Sequence, residues 1–259
     1  MKFGLCIGVD GLQTAEKAGF DYFEPTAVRT LLPDKPDQDF APILAAVAAS
    51  KLKAEAFNVF LPGTVRVTGP DASLDALLRY VSVVAARAAK LGGKVIVFGS
   101  AAARGVPAGF PTGKAMDQIA AFLEAIDPIV AKAKINIAIE PLCKKECNII
   151  NLVKEGAALA TRVNKPNIKA LADLYHVGQD AEPYENIVAA GKLLIHAHIA
   201  NPVTRNCPMP GDGFDYKPFF RALKDAGYNG RISIECAWDD VTAQAAASLE
   251  FLRAEWTKA

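Results

Sequence analysis

The chain has 259 residues, 51% hydrophobic, 22% charged and 8% aromatic, with 29 Lys and Arg against 28 Asp and Glu for a net charge of +1. A chain this long can bury about 70% of its unfolded surface, so it needs no disulfide staples, and its scattered charges offer no tract for nucleic acid or an anionic membrane. Five Cys, at 6, 143, 147, 207 and 236, are odd in number and irregularly spaced, which reads as reduced thiols in a cytoplasmic protein with a small-molecule partner.

The N-terminal run from Met1 reaches Asp10 before any small-residue cleavage site and reads as a first strand rather than a signal peptide. No window approaches the roughly 18 apolar residues of a membrane span. Strand-like runs follow at regular intervals: Phe3 to Ile7, Tyr22 to Glu24, Ala54 to Phe60, Lys94 to Phe98, Asn136 to Leu142, Ile168 to Tyr175, Leu193 to Ile199 and Arg231 to Cys236. Between them lie amphipathic stretches. Met116, Ile119, Leu123, Ile126 and Val130 recur at helical spacing, as do Val241, Ala245, Leu249, Leu252 and Trp256. Eight strand–helix units consume the whole length, which predicts an α/β chain folded as a single (β/α)8 TIM barrel over residues 1–259.

An open doubly wound sheet is the competing architecture, and it predicts a glycine-rich phosphate turn after the first strand. Gly8-Val9-Asp10-Gly11-Leu12 lacks the third glycine of that fingerprint. Gly109 to Ala115 imitates a P-loop, but its first glycine is misplaced and Ala115 stands where a magnesium-binding hydroxyl is required. The turn-rich stretches Leu61 to Ser73, Ala101 to Gly113 and Asn201 to Asp215 all follow strands, so a barrel would raise them around its C-terminal mouth.

A strand of a parallel sheet is expected to be apolar throughout, so an acid or His within one needs a partner. Glu140, Asp173, His198 and Glu235 each lie near the C-terminal end of one of four successive strands, in the same phase. Three carboxylates converging above the barrel axis cannot all stay ionised without a cation. The set therefore predicts one divalent metal ion held by Glu140, Asp173, His198 and Glu235. Its mostly hard donors suit Mn²⁺ first, with Mg²⁺, Co²⁺ or Zn²⁺ also accommodated. His196, two residues before His198, reads as a core histidine; Cys143, Cys147 and Cys207 read as loop thiols, since their spacing matches no standard zinc pattern. His176 lies three residues past Asp173, and a turn after Tyr175 would return it to the mouth; Trp238 and Phe110 are candidate pocket walls.

At these residues the chain resembles the xylose isomerase-like TIM-barrel superfamily, in its sugar phosphate isomerase/epimerase branch, which includes ketose 3-epimerases. Glu140-Pro-Leu-Cys-Lys-Lys-Glu146 is similar to the family's Glu-Pro-Leu-Asn-Arg-x-Glu segment, and Asp173-Leu-Tyr-His176 to its Asp-x-x-His. After His198 the chain reads Ile-Ala-Asn-Pro-Val-Thr-Arg205, where those epimerases have Gly-Glu-x-Asn-Arg. The resemblance implies metal binding by Glu140, Asp173, His198 and Glu235, and substrate contact by Glu146, His176 and Arg205; Trp238 joins the substrate-binding set as a wall.

With that set, a metal-dependent sugar isomerase or epimerase is expected to act on a ketose or keto-sugar derivative by proton abstraction through a metal-stabilised enediolate. Glu140 and Glu235 are the expected acid/base pair, with His176 as an orienting donor. A lyase or dehydratase acting on a keto-inositol or 3-keto-glycoside would begin with the same deprotonation. An endonuclease IV-like hydrolase would need a histidine-rich three-metal cluster, and the chain has 3 His. The expected partner is a small sugar, with no nucleic acid and no membrane; association into a homo-oligomer is compatible with the sequence.

Overall fold

The computed structural model describes residues 1–259. Its strands are β1 (Lys2–Cys6), β2 (Tyr22–Glu24), β3 (Ala56–Phe57), β4 (Val95–Phe98), β5 (Asn136–Ile139), β6 (Ile168–Asp173), β7 (Leu194–Ile199) and β8 (Arg231–Ile234). They form one eight-stranded sheet in the order β2-β1-β8-β7-β6-β5-β4-β3, with every pairing parallel. Single parallel bridges from Phe23 to Ala54 and from Thr26 to Asn58 join β2 to β3. The sheet is thus a nearly closed (β/α)8 barrel, as the alternation of elements predicts.

The helices are α1 (Leu12–Ala18), α2 (Ala27–Thr30), α3 (Asp37–Ala49), α4 (Leu74–Lys90), α5 (Ala101–Arg104), α6 (Thr112–Lys132), α7 (Val153–Val163), α8 (Leu174–Gln179), α9 (Glu185–Ala190), α10 (Lys217–Asp225) and α11 (Val241–Lys258). Eight of them return the chain to the next strand or, with α11, close the ring. The short α2, α5 and α8 are extra turns that leave β2, β4 and β6 directly at the C-terminal mouth. Caps mark where the long helices begin: the Ser73 side chain accepts from Ala76 N, and that of Asp240 from Thr242 N and Ala243 N. The predicted stripes are buried where they matter, at Ile119, Leu123, Ile126 and Val130 on α6 and at Ala245, Leu249 and Leu252 on α11. Accessible surface is 10987 Å², against roughly 11,000 Å² expected for this mass.

Alternation along the strands sorts side chains into two cores. Outward residues such as Ile96, Phe98, Ile137, Ile139, Ala197 and Ile232 pack against the helices. Inward residues Tyr22, Ala56, Val95, Val97, Ala138 and Leu171 fill the barrel itself. Tyr22 fits because β1 offers Gly4 opposite its ring; a Cβ there would collide with the phenol. One step above this apolar floor, the same alternation brings Glu24, Asn58, Gly99, Glu140, Asp173, His198 and Glu235 to the mouth, each two residues beyond an inward-facing neighbour.

Six predicted strands are longer than those observed, and three of them bear on the mouth. The third shrinks to Ala56–Phe57, because its flanks make only single bridges across the β2–β3 seam. The fifth ends at Ile139, placing Glu140 just past it. The sixth ends at Asp173, where α8 begins; the Asp173 Oδ1 accepts the Tyr175 N–H at 2.7 Å and caps the helix. The turn expected after Tyr175 is therefore helical and starts at Leu174.

Candidate metal and proton-transfer site

Glu140, Asp173, His198 and Glu235 meet at one point: one ligand atom from each lies within 4.8 Å of all the others. The centre of the group is His198 Nδ1, which stands 2.9 Å from Glu140 Oε1, 3.2 Å from Glu235 Oε2 and 3.8 Å from Asp173 Oδ2. His198 is fully buried and the Glu235 side chain is 22% exposed, so the cluster opens to solvent on the β8 side.

Each carboxylate is held from behind. Asn58, at the end of β3, donates its Nδ2–H to Glu235 Oε1 at 2.7 Å and leaves Oε2 for the cluster. Asp173 divides its oxygens between the helix cap and the cluster. Glu140 is seated by two neighbours that no sequence pattern announced. Gly99 leaves the space its carboxylate occupies, since a Cβ there would collide with Oε2. Arg104 on α5, wholly buried, donates to the main-chain oxygens of Phe98 and Glu140 and so ties the ends of β4 and β5 together. In sequence, Arg104 lies within the turn-rich stretch Ala101 to Gly113 and carries no motif of its own.

The electrostatics bear on what the cluster could hold. Burial works against a charged His198, yet Glu24, Glu235 and Glu140 outweigh it and push the imidazole pKa well up. Burial raises the Glu140 pKa, with Glu235 and Asp173 adding to the rise against His198. Burial opposes ionisation of Glu235 as well, but His198 and Arg205 hold its pKa below the usual carboxylate range. Three carboxylates thus converge on one imidazole with no Lys or Arg paired to them. A divalent cation fits such a group: it would bring two positive charges to four convergent O and N donors of the kind such ions take.

His176 reaches the same mouth from the first turn of α8, its Nε2 3.7 Å from Asp173 Oδ2. Its Nδ1 receives the Cys143 N–H at 3.2 Å. A main-chain amide can only donate, so Nδ1 is an acceptor and the neutral ring carries its proton on Nε2, towards the cluster. Glu146 and Arg205 pair at 2.6 Å, each about one-third exposed, and the guanidinium lies 4.3 Å over the Tyr175 ring. Arg205 takes a left-handed backbone (φ +61°), held by its N–H to Asn201 O and by its own carbonyl accepting from Ala237 N, both at 2.8 Å. Trp238 is half-buried after β8 and packs on the core, with its indole N–H buried and unpaired. Phe110 is likewise half-buried against the core. The five thiols are free, as read from their spacing.

One acid escaped the sequence reading. Glu24, at the end of β2, is fully buried and touches both ring histidines: its Oε2 lies 2.7 Å from His196 Nε2 and its Oε1 3.0 Å from His198 Nε2. His196 is the core histidine expected, though its Nδ1 is left without a partner. The signal was present in Tyr22-Phe23-Glu24, an acid closing a strand in the same phase as the three acids and the histidine of the predicted set, but a three-residue run offers little apolar background against which an acid stands out.

Comparison with known proteins agrees with this geometry. Residues 12–255 match the family described as xylose isomerase-like TIM barrel. An L-ribulose 3-epimerase of Methylomonas sp. (strain DH-1) is 28% identical over 226 residues, 85% of this chain and 75% of that protein. A D-psicose 3-epimerase of Agrobacterium fabrum is 32% identical over 103 residues, 39% of this chain and 35% of its own length. Among solved structures, a D-psicose 3-epimerase crystallised in the presence of D-fructose superposes with a TM-score of 0.86 at 20% identity, covering 99% of both chains. The 3-keto-D-glucoside 4-epimerase of E. coli superposes with a TM-score of 0.80 at 18% identity, covering 98% of this chain and 99% of that one.

Proposed function

Because this chain belongs to the xylose isomerase-like TIM-barrel family, we propose that it is a metal-dependent sugar epimerase acting on a ketose or keto-sugar derivative, with its whole activity in one domain spanning residues 1–259. The observation that carries this reading is the meeting of three carboxylates around His198 Nδ1. The ketose 3-epimerases named above support the substrate class. Glu140, Asp173, His198 and Glu235 would hold the cation, Mn²⁺ being the ion proposed. When bound, it supplies Lewis-acid stabilisation of the negative charge that builds on substrate oxygens as a proton leaves carbon.

The chain's own residues divide the remaining work. Glu140 and Glu235 come from strands separated in the barrel by β6 and β7, so their carboxylates approach the centre from different sides. One takes the proton from the carbon beside the carbonyl and the other returns a proton to the opposite face, which inverts that carbon. Asn58 holds Glu235 by Oε1, leaving Oε2 to face the cluster. His176 donates its Nε2–H to a substrate oxygen and is kept in that tautomer by the Cys143 amide. The Glu146–Arg205 pair binds hydroxyls at the rim, and Trp238 offers an apolar wall with one free N–H donor.

The test is solvent exchange. A panel of ketoses, keto-inositols and keto-glycosides is incubated with the Mn²⁺-loaded protein in D₂O and analysed by mass spectrometry. One deuterium at an inverted carbon is the expected result. Loss of water in place of inversion would assign the lyase reading, and absence of exchange across the panel would overturn proton transfer altogether.

A further inference from the structure

We propose that Glu24 is the positioning residue that makes His198 a metal ligand. It does so by binding the Nε2–H, which leaves the Nδ1 lone pair facing the three carboxylates. The inference rests on the reading of the metal site given above and extends it to a residue that would not touch the ion.

Glu24 reaches the histidines from across the barrel, since β1 and β8 lie between β2 and β7. A carboxylate only accepts hydrogen bonds, and Glu24 faces His198 Nε2 at 3.0 Å, His196 Nε2 at 2.7 Å and the Ser233 hydroxyl at 2.5 Å. Both imidazoles must therefore carry a proton on Nε2. The two rings stand edge to face, 5.0 Å apart at 82°, so neither turns without displacing the other. The Ser233 hydroxyl also meets the Tyr22 hydroxyl at 2.7 Å, anchoring the network in the barrel floor. No Lys or Arg pairs with Glu24. A fully buried carboxylate whose only donors are two imidazoles and a hydroxyl is an uneconomical way to stabilise a core, because taking the ion out of water costs more than such donors usually return. Its geometry is that of an outer carboxylate raising the basicity of a ligating imidazole.

Glu24→Gln supplies the test. An amide oxygen can accept from one histidine, while its NH₂ confronts the Nε2–H of the other. His198 is then free to move its proton to Nδ1, and that tautomer has no lone pair for a cation. Mn²⁺ alone is titrated calorimetrically into chelator-stripped full-length protein, wild type and variant, at a temperature where circular dichroism shows both folded. The expected result is about 10- to 100-fold weaker binding for Glu24→Gln, with a changed visible spectrum of the Co²⁺-loaded form reporting the altered imidazole ligation. An unchanged dissociation constant and spectrum would overturn the role of Glu24 while leaving the four-residue site standing. A wild-type protein that takes up no Mn²⁺ would overturn the site and this role together. Should Glu24→Gln not fold, Ser233→Ala removes a single donor to the same carboxylate: roughly threefold weaker binding is expected by the same logic, and equal binding overturns the proposal.

Discussion

The two ends of the barrel handle acids in opposite ways. At the N-terminal end, Glu55 sits just before β3 and is met by Lys2 at 2.7 Å from β1 and by Arg231 at 2.5 Å from β8. At the C-terminal end, Glu140, Asp173 and Glu235 converge with Glu24 close beneath them, and the side chains hydrogen-bonded to the group are imidazoles, the Asn58 amide and the Ser233 hydroxyl, with no Lys or Arg among them. Where the chain needs only stability it provides its own cations. At the mouth no Lys or Arg pairs with the converging carboxylates, and the proposed divalent ion would offset their charge. The same eight strands produce both ends, so the difference lies in which residue types close each strand and not in the fold.

The contrast breaks most visibly if the mouth carboxylates are neutralised. Glu140→Gln and Glu235→Gln are each expected to lower solvent exchange by about 10²- to 10⁴-fold, measured by deuterium uptake, with circular dichroism unchanged. Retention of near-wild-type exchange by either variant would remove it from the acid/base pair. The next largest effect concerns the proposed cation. At an Mn²⁺ concentration about 100 times its dissociation constant, unfolding should cost about 2.7 kcal/mol more than in the presence of chelator; thermal melts that coincide with and without the ion would mean the carboxylates do not bind it.

Gly99→Ala sharpens the comparison at one atom. The added methyl meets the Glu140 carboxylate, and overpacking of this kind costs about 1–3 kcal/mol. It should also weaken Mn²⁺ binding, read by the same titration, because Glu140 must move away. Glu55→Gln is the smallest perturbation and belongs to the other end. Burial alone would raise the Glu55 pKa, but hydrogen bonds from Lys2 and Arg231 outweigh it and hold the carboxyl below its usual range. Its contribution is therefore complete above the unfolded value of roughly 4.3 and lost as pH falls through the folded one. Urea unfolding should show a loss of about 1 kcal/mol at pH 7 that closes on acidification, with Mn²⁺ affinity untouched.

Most of the barrel was legible because each unit repeats one physical demand. Runs such as Val95-Ile-Val-Phe98 satisfy both faces of a buried parallel strand, and stripes such as Ile119, Leu123, Ile126 and Val130 cover it. Glu140, Asp173, His198 and Glu235 were legible for the converse reason: each interrupts or ends an apolar run in the phase that points inward. Asn58 lay inside a run read as strand and drew no attention as a polar exception, although its amide holds Glu235. Arg104 and Gly99 had no local signature, since what matters is the carbonyls one reaches and the space the other leaves vacant.

The sequence by itself determined that strands and helices alternate, how many units there are, and which residues at four strand ends are too polar for their surroundings. Those are properties of periodicity and burial, which act within a few residues of chain. Only the tertiary structure decided that Glu24, from the second strand, reaches the histidine of the seventh, that Asn58 supports the acid of the eighth, and which nitrogen of His176 and His198 carries the proton. Closing a sheet into a barrel makes neighbours of strand ends far apart in sequence, and tautomers are set by what those neighbours can accept or donate.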